Sequence, residues 1–176
     1  IKPLNYALAI KDKKITASTP LADISTCFIV AGQPLYCPQD YDGSFHGIQQ
    51  VRFALGNSFN VPAVRVLALN GIENFVEFAK QMGLTTLTDP ANYGLSLTLG
   101  GGEVSLLEMT GAYAVLANAG VRIPPASILE IIDFQGETVF RYEPPRGESV
   151  VDERSTYLVT SILSDRAARA PALTAA

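Results

Sequence analysis

Apolar and polar positions follow two rhythms along this chain, and the changes between them locate its elements. Residues 4–10, Leu-Asn-Tyr-Ala-Leu-Ala-Ile, form the body of a predicted helix whose first turn holds Lys2-Pro3, a position that suits proline. Residues 15–47 are rich in Pro, Gly, Thr and Asp, with short apolar runs such as Phe28-Ile29-Val30. Extended segments and turns are expected there, with Asp42-Gly43 as a turn signal. From Ile48 the spacing becomes helical: Ile48, Val51, Arg52 and Leu55 sit at i, i+3, i+4 and i+7. The run reaches Gly56-Asn57-Ser58-Phe59-Asn60, where Asn60 can cap a following helix that carries Pro62 in its first turn. That helix should end at Asn70-Gly71. Ile72, Phe75, Val76, Ala79 and Met82 then make one apolar stripe, closed by Gly83. Ser58 therefore falls in a break between two helices.

Beyond it, residues 84–103 are expected as a loop. Ser105-Leu106-Leu107-Glu108 has the spacing of a capping box and opens a helix to about Asn118. Residues 127–142 predict two strands around Asp133-Phe134-Gln135-Gly136. Asp152 caps a last helix with Leu158, Ser161 and Ile162 on one face. Residues 166–176 show no periodicity and are expected to be a disordered tail, leaving 1–165 as the domain. The sum is an α+β chain, dominated by helices, with a partial antiparallel sheet.

Composition narrows the function. Of 176 residues 48% are apolar and 17% charged, which excludes intrinsic disorder and a salt-laced coiled coil. A net charge of −4 without a Lys/Arg cluster argues against a nucleic-acid surface. No apolar stretch approaches the ~18 residues of a membrane span. One histidine and two cysteines cannot supply four Cys/His zinc ligands, so no metal is expected. Cys27 lies in an apolar run and is expected as a small core residue. Two free thiols are favoured over a Cys27–Cys37 disulfide.

Three patterns invite chemistry and are weak alone. Gly100-Gly101-Gly102 lacks the Gly-Lys-Ser/Thr of a phosphate loop and is better explained as a flexible or close-packed loop. Residues as near in sequence as Ser44 and His46 rarely meet in triad geometry, and a loop histidine is more often a surface or turn residue. Gly56-Asn57-Ser58-Phe59-Asn60 approaches a nucleophile elbow, as in an α/β-hydrolase, but that motif needs a preceding strand. On spacing alone Ser58 and Asn60 are helix-terminus residues.

Longer blocks carry more. Val51 to Ala63 (VRFALGNSFNVPA) resembles the S-x-N segment of penicillin-binding transpeptidases, most of all the bifunctional class A proteins. Tyr41 to Gly47, Tyr93 to Gly101 and Glu103 to Tyr113 support it, and the similarity covers most of residues 1–165. Lys2-Pro3 resembles the end of the family's S-x-x-K-P motif. The resemblance implies a fragment of the β-lactamase/penicillin-binding fold with Lys2, Ser58 and Asn60 as catalytic residues and Asn60 also binding substrate. In that chemistry a desolvated lysine takes the nucleophilic serine's proton, and the S-x-N serine relays it to the leaving amine. The implied function is D,D-transpeptidation of peptidoglycan stem peptides ending in D-Ala-D-Ala, with β-lactams as acylating inhibitors and no cofactor. The implied place is the outer face of the bacterial cytoplasmic membrane, with anchoring through a region outside the chain.

The chain also departs from the pattern. The position three before Lys2 lies outside it, and no K-[ST]-G occurs in it. An internal fragment is expected, inactive alone and prone to self-association along an open flank. Alternatives are a catalytically silent module of the same fold, or a β-lactamase or D,D-carboxypeptidase relative.

Overall fold

Helix α1 (Lys2–Lys11) is the hub of the molecule. Residues Pro3 to Ile10 are all buried, so this helix lacks a solvent face along most of its length. It packs against α3 (Asn60–Asn70), α4 (Ile72–Gln81) and α6 (Glu153–Ser164). The structure, a computed structural model, describes residues 1–29 and 34–174. Val30, the end of one predicted apolar run, lies outside the described residues.

A buried helix with a polar residue must satisfy it internally. Asn5 Nδ2 donates to the Ala63 carbonyl (2.9 Å) and to Thr98 Oγ1 (3.0 Å). Asn70 Nδ2 donates in turn to the Asn5 carbonyl (2.9 Å) and to Asn5 Oδ1 (2.8 Å). These bonds tie α1 to both ends of α3 and to a short 3₁₀ turn, Leu95–Leu99.

Three antiparallel strand pairs flank the helices among the described residues. Strand β1 (Pro20–Asp23) pairs with β2 (Gly47–Gln50), so that Asp23 lies opposite Gly47. This corrects one expectation. Ile48 belongs to a strand and is 77% exposed, and α2 (Val51–Gly56) begins three residues later. Pairing with β1 overrides the local helical spacing. Strand β3 (Val121–Arg122) pairs with β6 (Glu148–Ser149), and β4 (Glu130–Ile132) with β5 (Thr138–Arg141).

Helix boundaries follow their caps. Ser105 Oγ accepts the Glu108 amide at the start of α5 (Leu106–Ala117). The reciprocal half of that box does not form, because the Glu108 carboxylate takes hydrogen bonds from Thr85 and Thr86. Asp152 caps α6, whose buried face centres on Thr156, Val159 and Ile162 rather than on Leu158 and Ser161. Of the two readings of the glycine run, close packing holds at Gly102, where a Cβ would sit 2.7 Å from Leu97 Cδ1 and 2.9 Å from Leu87 Cδ2, while a Cβ at Gly100 would meet nothing within 4 Å.

Two further expectations fail. Residues 166–174 form α7 (Arg166–Thr174) in place of a disordered tail, while 175 and 176 lie outside the described residues. Docking supplies what periodicity lacks: Asn57 Nδ2 donates to the Ala168 carbonyl (2.8 Å), and Ala168 packs on Gly56, where a Cβ would stand 3.2 Å from Ala168 Cβ. Cys27 and Cys37 form a disulfide and are both exposed. An antiparallel bridge between Phe28 and Tyr36 sets the two cysteines opposite one another, which sequence spacing does not reveal.

The chain exposes 10,248 Å², where a compact monomer of its length exposes about 8,000 Å². The strand residues of the β4–β5 hairpin are all exposed. No helix among the described residues is long and apolar enough to cross a membrane.

Candidate active site

Three polar side chains from two distant segments meet beside the first turn of α1. Lys2 Nζ lies 3.0 Å from Ser58 Oγ and 2.6 Å from Asn60 Oδ1, and it also donates to the Ser58 carbonyl. Lys2 and Ser58 are 56 positions apart. Three acceptors match the three N–H bonds of an ammonium group.

Local backbone geometry presents them. Ser58 has φ of 60°, a left-handed conformation that a non-glycine residue adopts at a cost of roughly 1 kcal/mol or more. The strain is held because both sides of the break are pinned. The Ser58 amide donates to the Leu55 carbonyl and the Phe59 amide to the Ala54 carbonyl. With both amides spent inside the break, neither can stabilise an oxyanion on an acyl group carried by Ser58. No strand precedes Ser58; α2 does, which rules out the nucleophile-elbow reading.

Asn60 is placed differently from expectation. It is the first residue of α3 and does not cap it; Phe59 occupies the cap position and contributes no side-chain bond. The cap comes from Asp40, whose Oδ1 accepts the amides of Asn60 and, at 3.4 Å, Val61. Asn60 Nδ2 donates to the Gln39 carbonyl (2.7 Å). That bond fixes the amide orientation, so Oδ1 is the atom turned to Lys2.

Electrostatics make the lysine usable as a base. Burial lowers Lys2 to about 8, against the opposing pull of the Asp40 charge. A neutral fraction is thereby present near neutrality, as proton abstraction requires. The three residues open on a cleft of about 1070 Å³, lined also by Thr98, Glu103 and Tyr113.

A second cluster lies directly behind. His46 stacks on Phe59 with ring centroids 4.1 Å apart. Its Nδ1 is 2.8 Å from Asp23 Oδ2 and 3.5 Å from Asp40 Oδ2, and its Nε2 is 3.1 Å from Asp42 Oδ2. Sequence spacing offers His46 as a surface or turn residue, and nothing in it points to Asp23 or Asp40. Ser44 is not its partner: both ring nitrogens face carboxylates, while the Ser44 amide donates to Asp42. Asp23, Asp40 and His46 are the grouping among the described residues whose donor atoms approach as metal ligands do. Hydrogen bonds account for that approach, and no metal is assigned.

Comparison with known proteins covers nearly the whole chain. Residues 1–175 match the family model described as penicillin binding protein transpeptidase domain. Penicillin-binding protein 1A of Aquifex aeolicus is 32% identical over 163 residues, which is 93% of this chain and 22% of that protein. Penicillin-binding protein 1A of Haemophilus influenzae is 33% identical, over 82% of this chain and 16% of that one. The chain thus spans about a fifth of the length of the curated relatives it matches. Among solved structures, the crystal structure of the Haemophilus influenzae protein superposes with a TM-score of 0.82 at 27% identity, covering 93% of this chain and 28% of that chain. Penicillin binding protein 3 from Mycobacterium tuberculosis, complexed with aztreonam, shares the fold with a TM-score of 0.78 at 21% identity, over 94% of this chain and 40% of that one.

Proposed function

The chain belongs to the penicillin-binding protein transpeptidase family, and from that premise we propose that it carries the lysine and the S-x-N half of a serine-type D,D-transpeptidase site. The observation that supports this reading is the meeting of Lys2 Nζ with Ser58 Oγ and Asn60 Oδ1 across 56 residues. Helix-terminus roles for Ser58 and Asn60 would not require a lysine from another helix.

The family pattern places the nucleophilic serine three residues before Lys2, one helical turn away on the same face. Neutral Lys2 takes that serine's proton as its oxygen attacks the penultimate D-Ala carbonyl of a stem peptide. The tetrahedral intermediate collapses to an acyl-serine as the C–N bond breaks. Ser58 Oγ–H gives its proton to the departing amine and regains one from the Lys2 ammonium, 3.0 Å away. Asn60 Oδ1 holds the lysine in place for both transfers and offers a polar contact to the peptide. The acyl-serine then passes to a second stem-peptide amine, and a β-lactam enters by the same attack. The site works on the outer side of the bacterial cytoplasmic membrane, in a protein anchored outside this chain. By itself the chain is inactive and tends to self-associate.

Acylation by fluorescent penicillin tests the reading. In the parent protein, Ser58→Ala and Asn60→Ala should each slow acylation by ~10²-fold or more, the range for a lost proton-transfer group. Normal acylation with a large drop in melting temperature would return both residues to structural roles. The chain alone should form no adduct, since Ser58 lacks free oxyanion donors. A stoichiometric penicilloyl group on Ser58 by mass spectrometry would overturn the assignment.

A further inference from the structure

Asn60 can serve Lys2 only if its backbone and amide are held, and neither task falls to α3 itself. Residues 39 and 40 do both: the Gln39 carbonyl fixes Nδ2, and Asp40 Oδ1 takes the first amides of the helix. Asp40 is 5% exposed and lies 20 positions before Asn60. Its other oxygen, Oδ2, is buried without a hydrogen-bond partner, as is Asp23 Oδ1. Two buried carboxylates with an orphaned oxygen each are costly unless a counter-charge sits between them.

His46 provides it. Its Nδ1 faces Asp23 and Asp40, and its Nε2 faces exposed Asp42. Both ring nitrogens lie within hydrogen-bond reach of a carboxylate oxygen, and a ring that donates on both sides is an imidazolium. The same ring stacks on Phe59, the residue between Ser58 and Asn60.

We propose that Asp40, braced by Asp23 and by His46 in its imidazolium form, is a positioning residue that aims Asn60 at Lys2. This rests on the site reading above. Burial opposes the charged ring, but the bond to Asp23 and the charges of Asp42, Asp23 and Asp40 outweigh it and raise the His46 pKa. Deprotonating His46 leaves a single ring N–H and removes the positive charge between Asp23 and Asp40, so the brace loosens on the alkaline side. The groups that face Asp40 are Lys2, the buried phenol of Tyr6, Asp23 and His46, with Asp42 on the far side of the ring.

Asp40→Ala and Asp40→Asn separate positioning from plain folding. Asparagine keeps an oxygen for the Asn60 amide but loses the charge. Alanine loses both, and misplacement of about 1 Å is enough to cost 10²-fold. In the parent protein Asp40→Ala should slow penicillin acylation by ~10²-fold, and Asp40→Asn should recover most of it. The Asp40 charge pulls the Lys2 pKa upward, so its loss leaves Lys2 deprotonating more easily. The acid limb of the acylation profile in Asp40→Asn should therefore move to lower pH. In the amide spectrum of this chain, the Asn60 N–H should shift upfield in Asp40→Ala and largely return in Asp40→Asn.

An unshifted Asn60 amide in a folded Asp40→Ala chain overturns the proposal, and so does an unchanged acid limb in Asp40→Asn. If Ser58→Ala and Asn60→Ala abolish acylation while Asp40→Ala acylates normally, positioning fails and the site reading stands. If Ser58→Ala and Asn60→Ala acylate normally, the site reading fails and this proposal falls with it.

Discussion

The region around α1 and the β4–β5 hairpin use the same apolar residue types to opposite ends. Leu4, Ala7, Leu8 and Ile10 on α1 are almost wholly buried, and side-chain hydrogen bonds from Asn5 and Asn70 lock that helix to its neighbours. Ile131, Ile132, Val139 and Phe140 on the hairpin stay 44–67% exposed. Backbone pairing, the Asp133 turn and a surface Glu130–Arg141 pair hold it. Hydrophobic sequence is therefore a poor guide to which region is locked into the core. Polar groups that can be satisfied only in one arrangement decide it. The side chains proposed as catalytic, Lys2, Ser58 and Asn60, sit beside that helix.

The contrast is broken hardest at Asn5. Asn5→Leu has nearly the right size but strips the Ala63 carbonyl and Thr98 Oγ1 of their buried donor and leaves Asn70 Nδ2 only the backbone carbonyl of residue 5. At about 1–3 kcal/mol for each stranded group, the loss should reach about 3 kcal/mol or more, read from urea midpoints. A loss below 1 kcal/mol would mean that shape alone locks α1.

Next in size is the disulfide. Cys27–Cys37 closes a loop with a separation of 10 residues, a cross-link contributing about 2–3 kcal/mol through the unfolded chain. Reduction should remove that stability in thermal melts. Pro38, Gln39 and Asp40 follow directly, so acylation of the parent protein should fall as well. Full activity after complete reduction would show that Asp40 is held by its own bonds alone.

A smaller effect, of opposite sign, is expected at Ser58. Glycine at φ of 60° relieves strain, so Ser58→Gly should raise stability by about 1 kcal/mol while losing the proton relay. Ser58→Ala keeps the strain and loses the same hydroxyl. A more stable, equally inactive glycine variant would show strain stored for function. Equal melting temperatures for the two variants would show that the break costs nothing.

How much of this was legible in the sequence depended on range. Capping residues Ser105 and Asp152, the glycines at 71 and 83 and the turn at Asp133 act within a few positions, and their elements formed where the pattern put them. Lys2, Ser58 and Asn60 became a candidate site only through resemblance, because spacing cannot bring residues 56 apart together. Partners set by docking stayed hidden. Asp40 caps a helix 20 residues away, Phe28–Tyr36 pairing decides the cysteines, and Asn57 turns an unpatterned tail into α7. Ile48 failed for the same reason, since a neighbouring strand outweighed its own period.

The smallest effect should come from the hairpin, and it completes the comparison. Val139 is 67% exposed and Ile131 45%, and neither belongs to the core around α1. Substituting both by threonine preserves β-branching and strand propensity while removing apolar surface. In a monomer the change in stability should stay within about 0.5 kcal/mol, and acylation of the parent protein should be unaltered. The proposed self-association should weaken, seen as a lower sedimentation coefficient at high concentration. A loss above 2 kcal/mol in dilute solution would instead place these side chains in a packed interior, and the distinction between a locked helix and an outward-facing hairpin would collapse.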